Sequence, residues 1–181
     1  MMQSNRSLLQ PIAARGWNQP IGNIRGSYEK SIILLEGNCC KMDGFLGTWK
    51  MVSSEGFDQV MIRLGVDYLT RKTGNAIKPV IKIERHPDLP DTFTLQTINT
   101  FRSTLVQFKL GEPFLETTVD GRKVKTVITL EKSEHGGSWI LRQCQVGDKV
   151  ADIERRLVGS NEMHVTIRVD ELLCTRQYRR R

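Results

Sequence analysis

The sequence contains no run of about 18 apolar residues, so no part of its 181 residues reads as a membrane-spanning helix. Cysteine is scarce: Cys39, Cys40, Cys144 and Cys174 show neither paired metal-ligand spacing nor the density of a disulfide framework, which points to a reducing compartment. No metal and no cofactor is expected. There is no Gly-x-Ser-x-Gly elbow. Of the histidines, His86 and His135 fall near turns and His164 on the polar side of a strand pattern, where an exposed structural role is expected. Cys174 stands beside arginines, but no histidine is obviously paired with it as a base. These absences argue against an enzyme, and no catalytic residue is assigned.

Aromatics make up only 7% of the chain and nowhere stud a basic sheet in the way that stacks bases. The net charge of +7 nevertheless invites a nucleic-acid-binding reading. Its distribution weakens that reading. Residues 1–41 carry Arg6, Arg15, Arg25, Lys30 and Lys41 against only Glu29 and Glu36, and much of the remaining excess is Arg179-Arg180-Arg181. Elsewhere bases and acids are interspersed. No nucleic acid is expected as a partner; transient contact with an anionic membrane surface is what a modest positive balance allows.

Residues 1–41 mix Pro11, Pro20 and several glycines with polar residues, and hold one short apolar patch, Ser31 to Leu35. This leader is expected to be poorly ordered. Before Glu29 it has arginines and serines but no acid, like a transit peptide, although Pro11, Gly16, Pro20 and Gly22 interrupt any amphipathic helix. Met42 precedes the first well-patterned segment, so the folded domain is expected to span residues 42–181.

Within that domain Phe45 to Ser53 reads as a strand. Phe57, Val60, Met61 and Leu64 then follow helical spacing, with Gly65 placed to end the helix. Asp67 caps a second short helix through about Thr73, with Gly74-Asn75 as its stop. As a DNA reader this pair needs a basic recognition helix, and the second helix carries only Arg71 and Lys72. The alternative is a helical pair packed over an opening in a sheet. From Ile77 the pattern is strand after strand, each bounded by turn residues such as Pro87–Pro90, Gly111-Glu112-Pro113, Asp120-Gly121 and His135-Gly136-Gly137. Short strands at regular spacing describe an all-β meander, a barrel or sandwich.

Two strands put an arginine among apolar neighbours. Ile153, Arg155 and Leu157 share one face, as do Leu172, Cys174, Arg176 and Tyr178. An unpaired guanidinium in a dry interior costs several kcal/mol, and no acid alternates inward beside either one. The expected counter-ion is therefore a ligand carboxylate, with the Tyr178 hydroxyl as a further donor; solvated arginines on an edge strand are the alternative. Thr97, Asn99 and Thr126 are also inward polar candidates, which favours a barrel with an internal cavity over a dry core.

Phe45-Leu46-Gly47-Thr48-Trp49-Lys50, Leu64-Gly65-Val66, Phe108-Lys109-Leu110-Gly111, Glu116-Thr117-Thr118, Arg122-Lys123-Val124-Lys125 and Cys174-Thr175-Arg176-Gln177-Tyr178 together resemble an intracellular fatty-acid-binding protein. The resemblance covers residues 42–181 in unbroken order. It implies a ten-stranded antiparallel up-and-down β-barrel of two roughly orthogonal sheets, lidded by a helix–turn–helix, and a monomeric cytoplasmic carrier of long-chain fatty acids. By position it implies that Arg176, Tyr178 and Arg155 bind the carboxylate, with Arg156 the competing assignment for the second arginine. Phe57, Met61, Val66, Thr70, Phe101, Val119, Asp120 and Arg122 match positions lining the cavity or portal. The segment Cys174 to Tyr178 is shared by retinoic-acid carriers, so another hydrophobic carboxylate is the alternative ligand. The turn at Gln145 to Asp148, the long Pro87–Pro90 loop and residues 1–41 depart from the family pattern.

Overall fold

The computed structural model describes residues 41–100, 102–133 and 137–181; the leader before Lys41, Phe101 and the turn containing His135 lie outside the described residues. A 3-10 turn, Asp43–Phe45, leads into β1 (Gly47–Glu55), and two helices follow, α1 (Phe57–Arg63) and α2 (Tyr68–Ala76). Nine further strands complete the chain: β2 (Val80–Arg85), β3 (Thr92–Ile98), β4 (Ser103–Lys109), β5 (Pro113–Thr117), β6 (Lys123–Lys132), β7 (Trp139–Val146), β8 (Val150–Val158), β9 (Glu162–Val169) and β10 (Leu172–Arg180). Every pairing is antiparallel. Neighbours in sequence are neighbours in the sheet, except that β1 closes onto β10 while β4 and β5 end the sheet without pairing. The result is an up-and-down barrel of ten strands with one unzipped seam.

Three local readings need correction. Phe45 lies in the 3-10 turn rather than in β1, where its carbonyl accepts the Trp49 indole N–H at 2.9 Å. Asn99 is not a strand residue: its Oδ1 accepts the Arg102 backbone N–H at 2.7 Å, an Asx-type turn that stops β3 at Ile98. The second helix runs through Gly74-Asn75 to Ala76. Gly74 is there for packing: a Cβ would stand 3.1 Å from the Phe57 ring, so glycine admits that ring against the helix.

Asp67 caps α2 as its position predicts, accepting the Thr70 N–H at 3.0 Å. Gly56, which opens α1, has φ +72°, and a Cβ there would collide with the Leu173 carbonyl of β10. That close approach seats α1 on the barrel. Val60 and Met61 are buried beneath it, Val60 in a small cluster with Ala151, Val169 and Cys174. Each such side chain contributes about 1.5–3 kcal/mol. Arg63 adds ion pairs to Asp170 and Glu171 in the β9–β10 turn. By contrast α2 buries no residue. It is held by Arg71, which bonds Asp58 of α1 at 3.0 Å, and by Asn75 on the same carboxylate.

The main core fills the opposite end of the barrel, around Met42, Phe45, Trp49, Ile83, Leu141 and Met163. Arg180 seals it from outside, stacked 4.1 Å over Trp49 and donating to the Gly44 carbonyl at 2.8 Å. One irregularity matters for the interior. Between Met51, opposite Tyr178, and Ser53, opposite Gln177, Val52 is an extra residue on β1. This bulge reverses the alternation, so buried Met51 and Ser54, which faces Arg176, come to the same side. No helix among the described residues is long and apolar enough to cross a membrane.

Candidate functional site

Between the lid and the core lies a cavity of about 610 Å³, a size typical of small-molecule pockets. Its mouth is formed by Phe57, Met61 and Thr70 of the lid, by Asn99 and Arg102 after β3, and by Val119, Asp120 and Arg122 after β5. Its apolar walls are Ile81, Leu95, Ile153, Val165 and Ile167, which alternate inward along β2, β3, β8 and β9. The lining also carries many polar side chains: Thr97, Thr104, Glu116, Thr118, Gln143, Gln145, Arg155, Arg176 and Tyr178.

Arg155 is 4% exposed. Its Nη2 donates to Gln143 Oε1 at 2.8 Å, while Nε and Nη1 are buried with no acceptor among the described residues. Burial pulls its pKa down to about 10, with Tyr178 and Glu116 acting in the opposite direction. The group therefore stays charged near neutral pH, with the donors of two nitrogens unmatched among the described residues. Arg156 alternates to the outer face and pairs with Glu154 at 2.7 Å. Only Arg155 of this pair lines the cavity.

Arg176 sits nearer the lid. Its Nε donates to Ser54 Oγ at 3.2 Å, a contact the bulge makes possible, and its guanidinium lies 4.0 Å over the Phe57 ring. Tyr178 is 1% exposed. Burial raises its phenol pKa, an effect opposed by Arg176 and Arg155, so the hydroxyl keeps its proton and remains a donor at neutral pH. At the mouth Asp120 pairs with Arg122. Burial pushes the Asp120 carboxyl up, but hydrogen bonds from Arg122 and Thr118 outweigh it and hold the group below the usual range.

Of the residues singled out from sequence, Phe57, Met61, Thr70, Val119, Asp120, Arg122, Arg155, Arg176 and Tyr178 all line this one cavity. Val66 does not. Its N–H instead closes α1 by donating to the Met61 carbonyl at 3.0 Å. Phe101 lies outside the described residues. No acid alternates inward beside either arginine on its own strand, but another strand brings one to the cavity: Glu116 of β5 lines it, and its Oε2 accepts from Thr126 at 2.7 Å, Gln143 at 3.0 Å and Gln145 at 3.1 Å. Gln143 thus links Glu116 to Arg155. The signal was present in the alternation of Leu141, Gln143 and Gln145 on one face of β7 and of Phe114 with Glu116 on β5. Cys174 is buried, which raises its thiol pKa, the opposite of what an activated nucleophile needs. No group of three or more His, Cys, Asp or Glu side chains that could hold a metal gathers among the described residues.

A nearly closed meander whose lidded interior combines apolar walls with buried donors is the architecture of a β-barrel that holds a small amphipathic ligand. Residues 46–181 match the model of the Lipocalin / cytosolic fatty-acid binding protein family, and the chain belongs to that family. It is 45% identical over 141 residues to fatty acid-binding protein homolog 2 of Echinococcus granulosus, covering 77% of this chain and 98% of that protein. Among solved structures, the crystal structure of Echinococcus granulosus fatty-acid-binding protein 1 superimposes with a TM-score of 0.68 at 43% identity, over 77% of this chain and 98% of that one. The Schistosoma mansoni fatty acid binding protein in complex with arachidonic acid gives a TM-score of 0.70 at 37% identity, over 78% and 98%.

Proposed function

We propose that this protein is a cytoplasmic, monomeric carrier that binds long-chain fatty acids reversibly in its cavity, without chemistry, and moves them between membranes. The observation that carries this reading is Arg155: a charged guanidinium, nearly fully buried beside apolar walls, with two nitrogens, Nε and Nη1, lacking acceptors among the described residues. A carboxylate supplies the missing charge and acceptors, and the walls take the chain. Each methylene removed from water contributes about 0.8 kcal/mol, so about ten of them yield the roughly 8 kcal/mol of micromolar affinity before ordering costs. Arg176 and the Tyr178 hydroxyl are the other carboxylate contacts, and Phe57, Met61, Thr70, Val119, Asp120 and Arg122 form the entrance. Residues 1–41 are dispensable for the barrel. The lid exposes Ile62 and Tyr68, an apolar edge on a basic protein that suits brief collision with anionic leaflets.

The test is calorimetric titration of the delipidated protein with oleate, retinoate and oleyl alcohol. One-site binding of oleate above the other two is expected. Retinoate binding above oleate moves the ligand to another hydrophobic carboxylate, and binding of none overturns the carrier reading.

A further inference from the structure

The sheet is unzipped between β4 and β5, and the two ends of that seam are closed in different ways. At the core end the rings of Phe108 and Phe114 stack across it at 6.4 Å, and the Gly111 N–H donates to the Ile128 carbonyl at 2.8 Å. At the mouth of the cavity a side chain closes it. Arg102, just before β4, reaches over to the turn between β5 and β6, where its Nη1 donates to the Val119 carbonyl at 3.1 Å. The same nitrogen lies 3.5 Å from where a Cβ at Gly121 would stand, so the guanidinium rests on a turn whose tip has no side chain.

Each side of this contact is stiff by itself. The Arg102 backbone N–H is held by Asn99 Oδ1 at 2.7 Å. Opposite, the Thr118 N–H donates to the Arg122 carbonyl and the Gly121 N–H to the Thr118 carbonyl, both at 2.9 Å, and Asp120 pairs with Arg122. Two stiff turns joined through one guanidinium have two arrangements, bridged and parted. The bridging bond is exposed, so water readily replaces it. Both turns form the entrance, and parting them widens it.

Resting on the carrier reading above, we infer that Arg102 is a latch across the mouth: a positioning residue that holds the two turns together through the Val119 carbonyl and thereby sets the rate at which ligand enters and leaves. The latch stabilises the closed state equally in the empty and the loaded protein. Loosening it therefore speeds entry and exit alike and leaves affinity unchanged. A cation at an entrance has an opposite effect as well, since it steers anions inward, and that effect is screened by salt.

Stopped-flow mixing of the full chain with parinaric acid, a fluorescent long-chain fatty acid, tests this at high salt, with exit measured by displacement with excess oleate. Arg102→Met keeps the length and apolar body of the side chain and removes its donors and charge. Entry and exit should both become about five- to ten-fold faster, the worth of one exposed charge-assisted hydrogen bond, with Kd within about two-fold of the wild type. An unchanged or slower exit, or a Kd that weakens because entry does not follow exit, overturns the inference alone. Failure of parinaric acid and oleate to bind the wild-type protein overturns the carrier reading and this inference with it.

Discussion

Replacing Arg155 by methionine should make the protein more stable and a worse fatty-acid binder. Burial takes the guanidinium from its ordinary value above 12 down to about 10, and at 1.36 kcal/mol per pKa unit this penalises the charged form by about 3 kcal/mol. Methionine is close in length, apolar, and leaves no unmatched N–H in place of Nε and Nη1. Lost with the guanidinium is its bond to Gln143 at 2.8 Å, about 1.5 kcal/mol for a charged donor. The net is a gain of about 1–2 kcal/mol, or roughly 2–8 °C in Tm for a domain of this size. The sign with pH follows from linkage. Between about pH 10 and the ordinary guanidinium range, the unfolded wild-type chain holds a proton that the folded chain has released, so Arg155 contributes stability rising with pH. The advantage of Arg155→Met should therefore be full below about pH 10 and shrink above it. Oleate affinity should fall about 10- to 100-fold, the worth of one or two charge-assisted bonds, with oleyl alcohol scarcely affected. Denaturant melts at several pH values and paired calorimetric titrations measure all three. A variant less stable by several degrees that still binds oleate normally would refute the reasoning, because Arg155 would then be a structural cation already satisfied by its surroundings.

Hydrogen exchange should show weaker protection in α2 than in α1, since α2 buries no residue while α1 buries Val60 and Met61; equal protection would mean the lid opens as one piece. Gly56→Ala should cost at least about 2 kcal/mol of stability, and Gly65→Ala only about 1, because both carry positive φ but only the first meets the backbone of β10. Equal losses in urea melts would remove the seating role given to Gly56. Ile62→Ser with Tyr68→Ser should slow transfer of a fluorescent fatty acid to anionic vesicles several-fold while leaving its affinity unchanged, since neither residue lines the cavity; an unaltered rate would exclude this edge of the lid from membrane contact.

Period-two alternation made the two arginine-bearing strands legible in the sequence alone. A strand has two faces, so the neighbours Ile153 and Leu157 favoured Arg155 over the competing Arg156 before any coordinates. The same holds for the helix spacing of Phe57, Val60 and Met61 and for the Asp67 cap, which depend on residues a turn apart. Alternation does not carry across a gap in sequence. Glu116 reaches Gln143 and Gln145 because β5 pairs with β6 and β6 with β7 in one particular register, a choice made by the packed barrel rather than by either strand. The extra residue Val52 is equally invisible, since only pairing with β10 shows that two residues of β1 face one and that Ser54 thereby turns toward Arg176. The sequence by itself determined the order of the elements, the inward faces of the regularly alternating strands and the cations placed among apolar neighbours, all short-range properties of the chain. The tertiary structure alone decided which polar groups from distant strands meet, and that brought Glu116 into the same cavity as Arg155, whose Nε and Nη1 find no acceptor among the described residues.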